Sequence, residues 1–274
     1  MEKILLVINA HKPDSESIKF ASYIASLVQS KLTGLFVENV YWDYVSNEAD
    51  QLFSSKKKKN EAATVTTDTE QAIEIFEKQC RTRKVEPEVY IDRGEPVQEI
   101  IFESRFADLL IIDPGLSFYG KVDQLPSHLV KEVLIHTECP VLLTPERFKG
   151  LEEIVFCYDG SASSVFSIKQ FTLMFPQLSN KNTVLLEVNR TGNEEFSEGH
   201  RRMMEWLKAH YQSAYYHALA GKAKDELYAY FFMTSKKLIV MGAYGRSMLA
   251  NLFNRSNADV VMRMADLPLF ITHR

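Results

Sequence analysis

Short apolar runs alternate with amphipathic stretches along the whole chain. Lys3-Ile4-Leu5-Leu6-Val7-Ile8-Asn9 reads as a strand closed by a polar residue, and Ser15 to Val28 sets Ile18, Ala21, Ile24, Ala25 and Val28 on one face of a helix. Further apolar runs follow at 32–37, 86–91, 108–113 and 139–143. The run Leu109-Leu110-Ile111-Ile112 is apolar at every position, as in a parallel strand covered on both faces. Arg93-Gly94-Glu95-Pro96 opens a short helix, with Pro96 suited to its first turn.

The pattern then repeats. Glu153-Ile154-Val155-Phe156-Cys157-Tyr158-Asp159 matches the first strand in its charge, apolar run and polar end. A helical pattern from Ser163 to Phe175 comes next, with Phe166, Ile168 and Phe171 among its apolar positions, and strands are predicted at 183–188, 213–218, 237–242 and 267–271. A short helix opens at Gly221-Lys222-Ala223-Lys224. Strands alternating with helices imply parallel neighbours joined by right-handed crossovers. The predicted fold is therefore α/β: two tandem doubly wound domains, 1–147 and 151–274, each an open, mostly parallel five-stranded sheet flanked by helices. The join falls where Pro145, Lys149 and Gly150 interrupt the apolar pattern. The last strand of each half is an exposed edge, so the halves are expected to pair there as an intramolecular pseudo-dimer, and two chains could pair again as a homodimer.

Composition narrows the classes. The chain has 274 residues, enough for two domains, with 46% hydrophobic and 25% charged residues, the balance of a soluble globular protein. No apolar run reaches a membrane span, and the start shows no secretory cleavage site, so a cytoplasmic protein without membrane contact is expected. A net charge of −4 argues against nucleic acid as a partner. The single basic run, Lys56 to Lys59, reads as a solvated loop or helix edge. Cys80, Cys139 and Cys157 show no disulfide or zinc spacing, and Cys139 and Cys157 read as small buried hydrophobes.

Candidate chemistry follows from topology, because open α/β sheets bind ligands beyond the carboxyl ends of their strands where strand order reverses. In the second half those ends carry Asp159-Gly160-Ser161 and Gly242-Ala243-Tyr244-Gly245-Arg246-Ser247, with Arg255-Ser256 further on before a helical run from Asn257 to Met264. Gly242 and Gly245 let backbone approach a phosphate; Ser256 could offer its hydroxyl and a helix N-terminus to an anion. Asp159 could accept hydrogen bonds from an adenine or ribose edge, or help hold a phosphate-bound Mg ion. The same residues also fit plain structural work: glycines shaping a turn, Ser256 as an N-cap, Asp159 capping the helix after its strand.

These residues resemble the tandem universal stress proteins, over essentially the whole chain. The resemblance rests on Tyr158-Asp159-Gly160-Ser161, the string from Met241 to Ser256, and Cys139-Pro140-Val141 with Leu267-Pro268-Leu269. It implies a Rossmann-like fold of the adenine nucleotide alpha hydrolase type and a site for ATP or a related adenine nucleotide. The family pattern of Gly, two residues, Gly, nine residues, Gly, Ser or Thr maps onto Gly242, Gly245, Arg255 and Ser256, with Asp159 at the end of the first strand. Arg255 departs from it by standing where a third glycine is expected. Its side chain either fills the phosphate space, which a tight glycine loop favours, or binds a phosphate itself.

The first half departs further, with Asn9 at the Asp position, Asp113-Pro114-Gly115 at the glycine start and Ser127-His128 at the Gly-Ser. It is expected to have lost triphosphate binding and to be structural or regulatory. His128 and His136 read as surface or capping histidines, and Trp42, Phe118 and Tyr119 as core-covering aromatics. The leading expectation is a stress-response protein acting as a ligand-sensing module without catalytic or metal-ligating residues. The alternatives are an interaction module that binds no nucleotide, and an ATP pyrophosphatase or adenylyl-transfer enzyme of similar topology.

Overall fold

The computed structural model describes residues 1–37, 67–118, 125–189, 198–231, 234–242 and 266–272. The first half supplies strands β1 (Lys3–Asn9), β2 (Lys31–Val37), β3 (Pro87–Asp92), β4 (Leu109–Ile112) and β5 (Val141–Leu143). Between them lie helices α1 (Ser15–Val28), α2 (Thr67–Thr82), α3 (Pro96–Ser104) and α4 (His128–His136). The second half supplies β6 (Glu153–Cys157), β7 (Asn182–Asn189), β8 (Ser213–Ala220), β9 (Lys237–Gly242) and β10 (Leu269–Thr272), with α5 (Ala162–Met174), α6 (Glu198–His210) and α7 (Ala223–Phe231).

Local chemistry explains the helix starts. The Asp14 carboxylate accepts from the N–H groups of Glu16 and Ser17 and caps α1, while Glu95 accepts from the Gln98 N–H and Pro96 takes the first position of α3. Ser161 caps α5 in the same way, accepting from the Ser164 N–H at 3.1 Å.

The ten strands form one sheet in the order β3-β2-β1-β4-β5-β10-β9-β6-β7-β8. Each half shows the expected reversal, between β1 and β4 and between β6 and β9. Every neighbouring pair is parallel except β5 and β10, which run antiparallel with Leu269 opposite Leu143, Phe270 opposite Leu142 and Ile271 opposite Val141. The halves thus meet edge to edge, as an exposed last strand invites, and fuse into a single sheet.

Alternate residues of each strand feed two cores. On one face Ile4, Leu6, Ile154 and Phe156 pack under α1, α2, α5 and α6, with Phe20, Phe76, Phe171 and Leu207 buried among them. On the other, Leu5, Val7, Val155 and Ile239 pack under α3, α4 and α7 with Ile100, Val133 and Leu227. Each of these cores runs without a break from the first half into the second. Phe270 of β10 illustrates the seam: it is fully buried and lies opposite Leu142 of β5, itself fully buried. Among the described residues no helix is long and apolar enough to cross a membrane. Phe118 is a core residue, as expected, whereas Lys56 to Lys59, Trp42 and Tyr119 lie outside the described residues.

Candidate functional site

The carboxyl ends of β6 and β9 lie side by side at the reversal in the second half, and α5 starts directly above them. Asp159 follows β6 and folds back on the turn, its Oδ1 accepting from the Ser161 N–H at 2.9 Å. The carboxylate stands at the surface, and the surrounding protein, which desolvates it in part, would raise its pKa. Hydrogen bonds from the hydroxyl and N–H of Ser161 and from Ser164 outweigh that and hold it below the ordinary Asp value. Asp159 is therefore ionised at neutral pH and fixed in direction. Gly160 adopts φ +76°, a conformation costly for other residues, and a Cβ there would meet nothing within 4 Å, so the space beside it is open.

Gly242 ends β9 for a different reason. A Cβ there would meet the Ser163 carbonyl oxygen at 2.6 Å and the Ser163 hydroxyl closer still. The glycine is required because the first turn of α5 rests on the strand end. Asp159, Gly160 and Gly242 are thus brought together around the start of α5, a thirteen-residue helix whose N-terminal N–H groups carry partial positive charge. Gly245, Arg255, Ser256 and the helical run expected at 257–264 lie outside the described residues.

A buried polar cluster beside this site had not been anticipated. Glu187 near the end of β7 sits 2.5 Å from His200 Nε2 on α6, and the Tyr216 hydroxyl on β8 donates to the same carboxylate oxygen. The His200 ring meets Tyr158 and Tyr216 edge-on, each at 5.0 Å between centroids. The available signal was a lone Glu in the apolar run 183–188.

The first half builds the corresponding place from different chemistry. Asn9 Oδ1 accepts from the His11 N–H at 3.0 Å, reproducing the turn made by Asp159, but its amide also donates to the Ser117 carbonyl at 3.0 Å. An aspartate could not make that second bond. Ser127 then ties the loop after β4 to the start of α4: its N–H donates to the Pro114 carbonyl at 2.8 Å and its hydroxyl to the Leu116 carbonyl. Asp113 occupies the register position of Gly242. Burial raises its pKa, the Gly115 N–H bond to Oδ1 opposes this, and the nearby Asp14 carboxylate raises it further. The strand end in this half is acidic and stitched to itself. His128 opens α4, and His136 is exposed on its last turn with Nδ1 against the Glu132 carbonyl. Among the described residues no cluster of three or more His, Cys, Asp or Glu could hold a metal ion.

The three cysteines are buried and unpaired with one another. Burial pushes the thiols of Cys80 and Cys139 up to about 11 and that of Cys157 to about 12. A cleft of about 460 Å³ lies away from the strand ends just described, between the linker at 146–150, the residues after α7 and those leading into β10.

No protein-family model matches the chain. A universal stress protein from Synechocystis is 27% identical over 132 residues, 47% of this chain and 45% of that protein. The chain therefore spans about half the length of this curated relative in the match. The crystal structure of a universal stress protein from Archaeoglobus fulgidus superposes with a TM-score of 0.69 at 15% identity, covering 98% of both chains. A functionally unknown protein from Pseudomonas aeruginosa superposes with a TM-score of 0.61 at 15% identity, over 100% of this chain and 92% of the other.

Proposed function

We propose that this chain, which resembles the universal stress proteins in sequence and shares their tandem fold, is a ligand-sensing module of the stress response. Its second half binds ATP or a related adenine nucleotide at the carboxyl ends of β6 and β9, and the role is binding rather than turnover. The observation that carries this reading is the pairing of a fixed, ionised Asp159 with open space beside Gly160 at the foot of α5. A hydrogen-bond acceptor for a ribose or adenine edge and a helix N-terminus for phosphate then stand on the same turn. Asp159 is also the described group suited to a phosphate-bound Mg ion. The first half lacks this pairing, since Asn9 is tied to Ser117 and Asp113 would repel phosphate. Its part is structural or regulatory. A cytoplasmic location fits such a module.

Heat-released extract from purified protein, followed by ATP titration into the stripped protein, tests the reading. Expected are a co-purified or titratable adenine nucleotide, and binding weakened about tenfold or more by Asp159→Ala but not by Asn9→Ala, the scale of a lost charged hydrogen bond. Arg255→Gly tightens binding if that side chain blocks the phosphate space and weakens it if it contacts phosphate. Absence of any isotherm at millimolar ATP would favour an interaction module, and release of AMP with pyrophosphate would favour an adenylyl-transfer enzyme.

A further inference from the structure

The cleft beside the linker lies apart from the strand ends proposed to hold a nucleotide. Its place follows from the antiparallel seam, which brings the carboxyl end of β5 against the amino end of β10. The linker passes there, with Gly150 at φ +100°. One wall is apolar. Phe148 lines it and packs on Phe20 and Tyr23 of α1, with centroids 5.0 and 4.7 Å apart; Phe231 at the end of α7 borders the cleft from within the core, with 2% of its surface exposed.

The rim is charged with both signs. Arg147 and Lys149 stand on it as cations, Glu146 and Asp266 as anions, and among the described residues none of the four forms a salt bridge. A third cation, Lys236, is already held by Glu152 at 2.6 Å. Lys237, at the start of β9, is paired with Glu153 at 2.7 Å. The volume falls in the range of small-molecule sites, about 300–1,000 Å³, and seams between domains are where such sites concentrate.

We propose that this cleft is a second ligand site, for a zwitterion with an apolar flank: an aromatic amino acid or a short aromatic peptide. Arg147 and Lys149 take the ligand's carboxylate, Asp266 and Glu146 its ammonium, and the ring lies against Phe148. A simple anion uses only half of these groups and meets two carboxylates. Contacts come from the linker and from the second repeat, so the ligand holds the linker against the second half.

The test uses the full chain and three probes, L-phenylalanine, 3-phenylpropionate without the ammonium, and phenethylamine without the carboxylate, followed by amide NMR. L-Phenylalanine is expected to shift the resonances of Gly150, Ser235 and Leu267 and to bind about tenfold or more tightly than either analogue, since each lost pair removes a charged hydrogen bond. Arg147→Ala should weaken L-phenylalanine and phenylpropionate but not phenethylamine, and Asp266→Asn should weaken L-phenylalanine and phenethylamine but not phenylpropionate. Both residues are exposed, so the variants keep the fold, which circular dichroism verifies. No shift at these resonances, analogues as tight as L-phenylalanine, or indifference to both variants would each overturn the proposal. ATP binding measured on Arg147→Ala reports on the other site alone, so the two readings fail independently.

Discussion

Single residues show most directly how environment sets chemistry. Asp113 is held partly out of water with a raised pKa, so its folded form prefers the proton more than its unfolded form does. Its ionisation therefore costs stability as pH rises from the ordinary Asp value through the raised one, and that loss persists at neutral pH. Asp113→Asn should remove the cost while keeping the acceptor for the Gly115 N–H, raising stability at pH 7 and hardly changing it near pH 3. Urea melts at the two pH values check this; equal gains at both would sink the electrostatic account. The cysteines offer a second measurement. With thiols raised to about 11 or 12 by burial, none should react with a disulfide reagent in the native state at pH 8, and all three should react after unfolding. Burial of Cys139 and Cys157 was readable in their apolar flanks. The depressed pKa of Asp159 was not, because it depends on Ser161 and Ser164 turning back toward the carboxylate.

At the scale of elements, the contact between β9 and α5 is the most exacting. Gly242→Ala would push a methyl into the Ser163 backbone, so strand and helix must part. Overpacking of this kind costs about 1–3 kcal/mol, and the variant should melt correspondingly earlier in a thermal scan. An unchanged midpoint would mean that α5 slides freely over the strand. Periodicity located the elements well: β1, α1 and β9 match the sequence reading at both ends, and most others differ by one or two residues. Each has a clear apolar period and a polar or capping boundary. The reason for Gly242 was hidden, since a glycine near a phosphate loop and a glycine beneath a helix look alike in one dimension. The His200–Glu187 pair was hidden for a similar cause, as its members sit on different elements and meet only after β7 and α6 pack.

For the whole molecule the decisive fact is that both cores cross the seam. The chain should unfold as one unit, because separating the halves would expose Phe270, Leu142 and their partners to water. Urea transitions followed by far-ultraviolet circular dichroism and by Trp206 fluorescence in a Trp42→Phe background should coincide. Two resolved steps would show the halves to be independent. The repeat and the strand reversal in each half were legible in the pattern, but the continuity of the sheet was only an expectation of edge pairing. Nothing in two similar apolar strands states their relative direction, which shows only in the register that sets Leu269 opposite Leu143 and Ile271 opposite Val141.

That direction has a functional corollary. Since the chain reverses its heading at β5 and β10, the crevices of the two repeats open on opposite rims of the sheet. No single small ligand can span them, and proteins that read the loops around each could dock at once without colliding. The duplication has produced a two-headed body rather than a clamp.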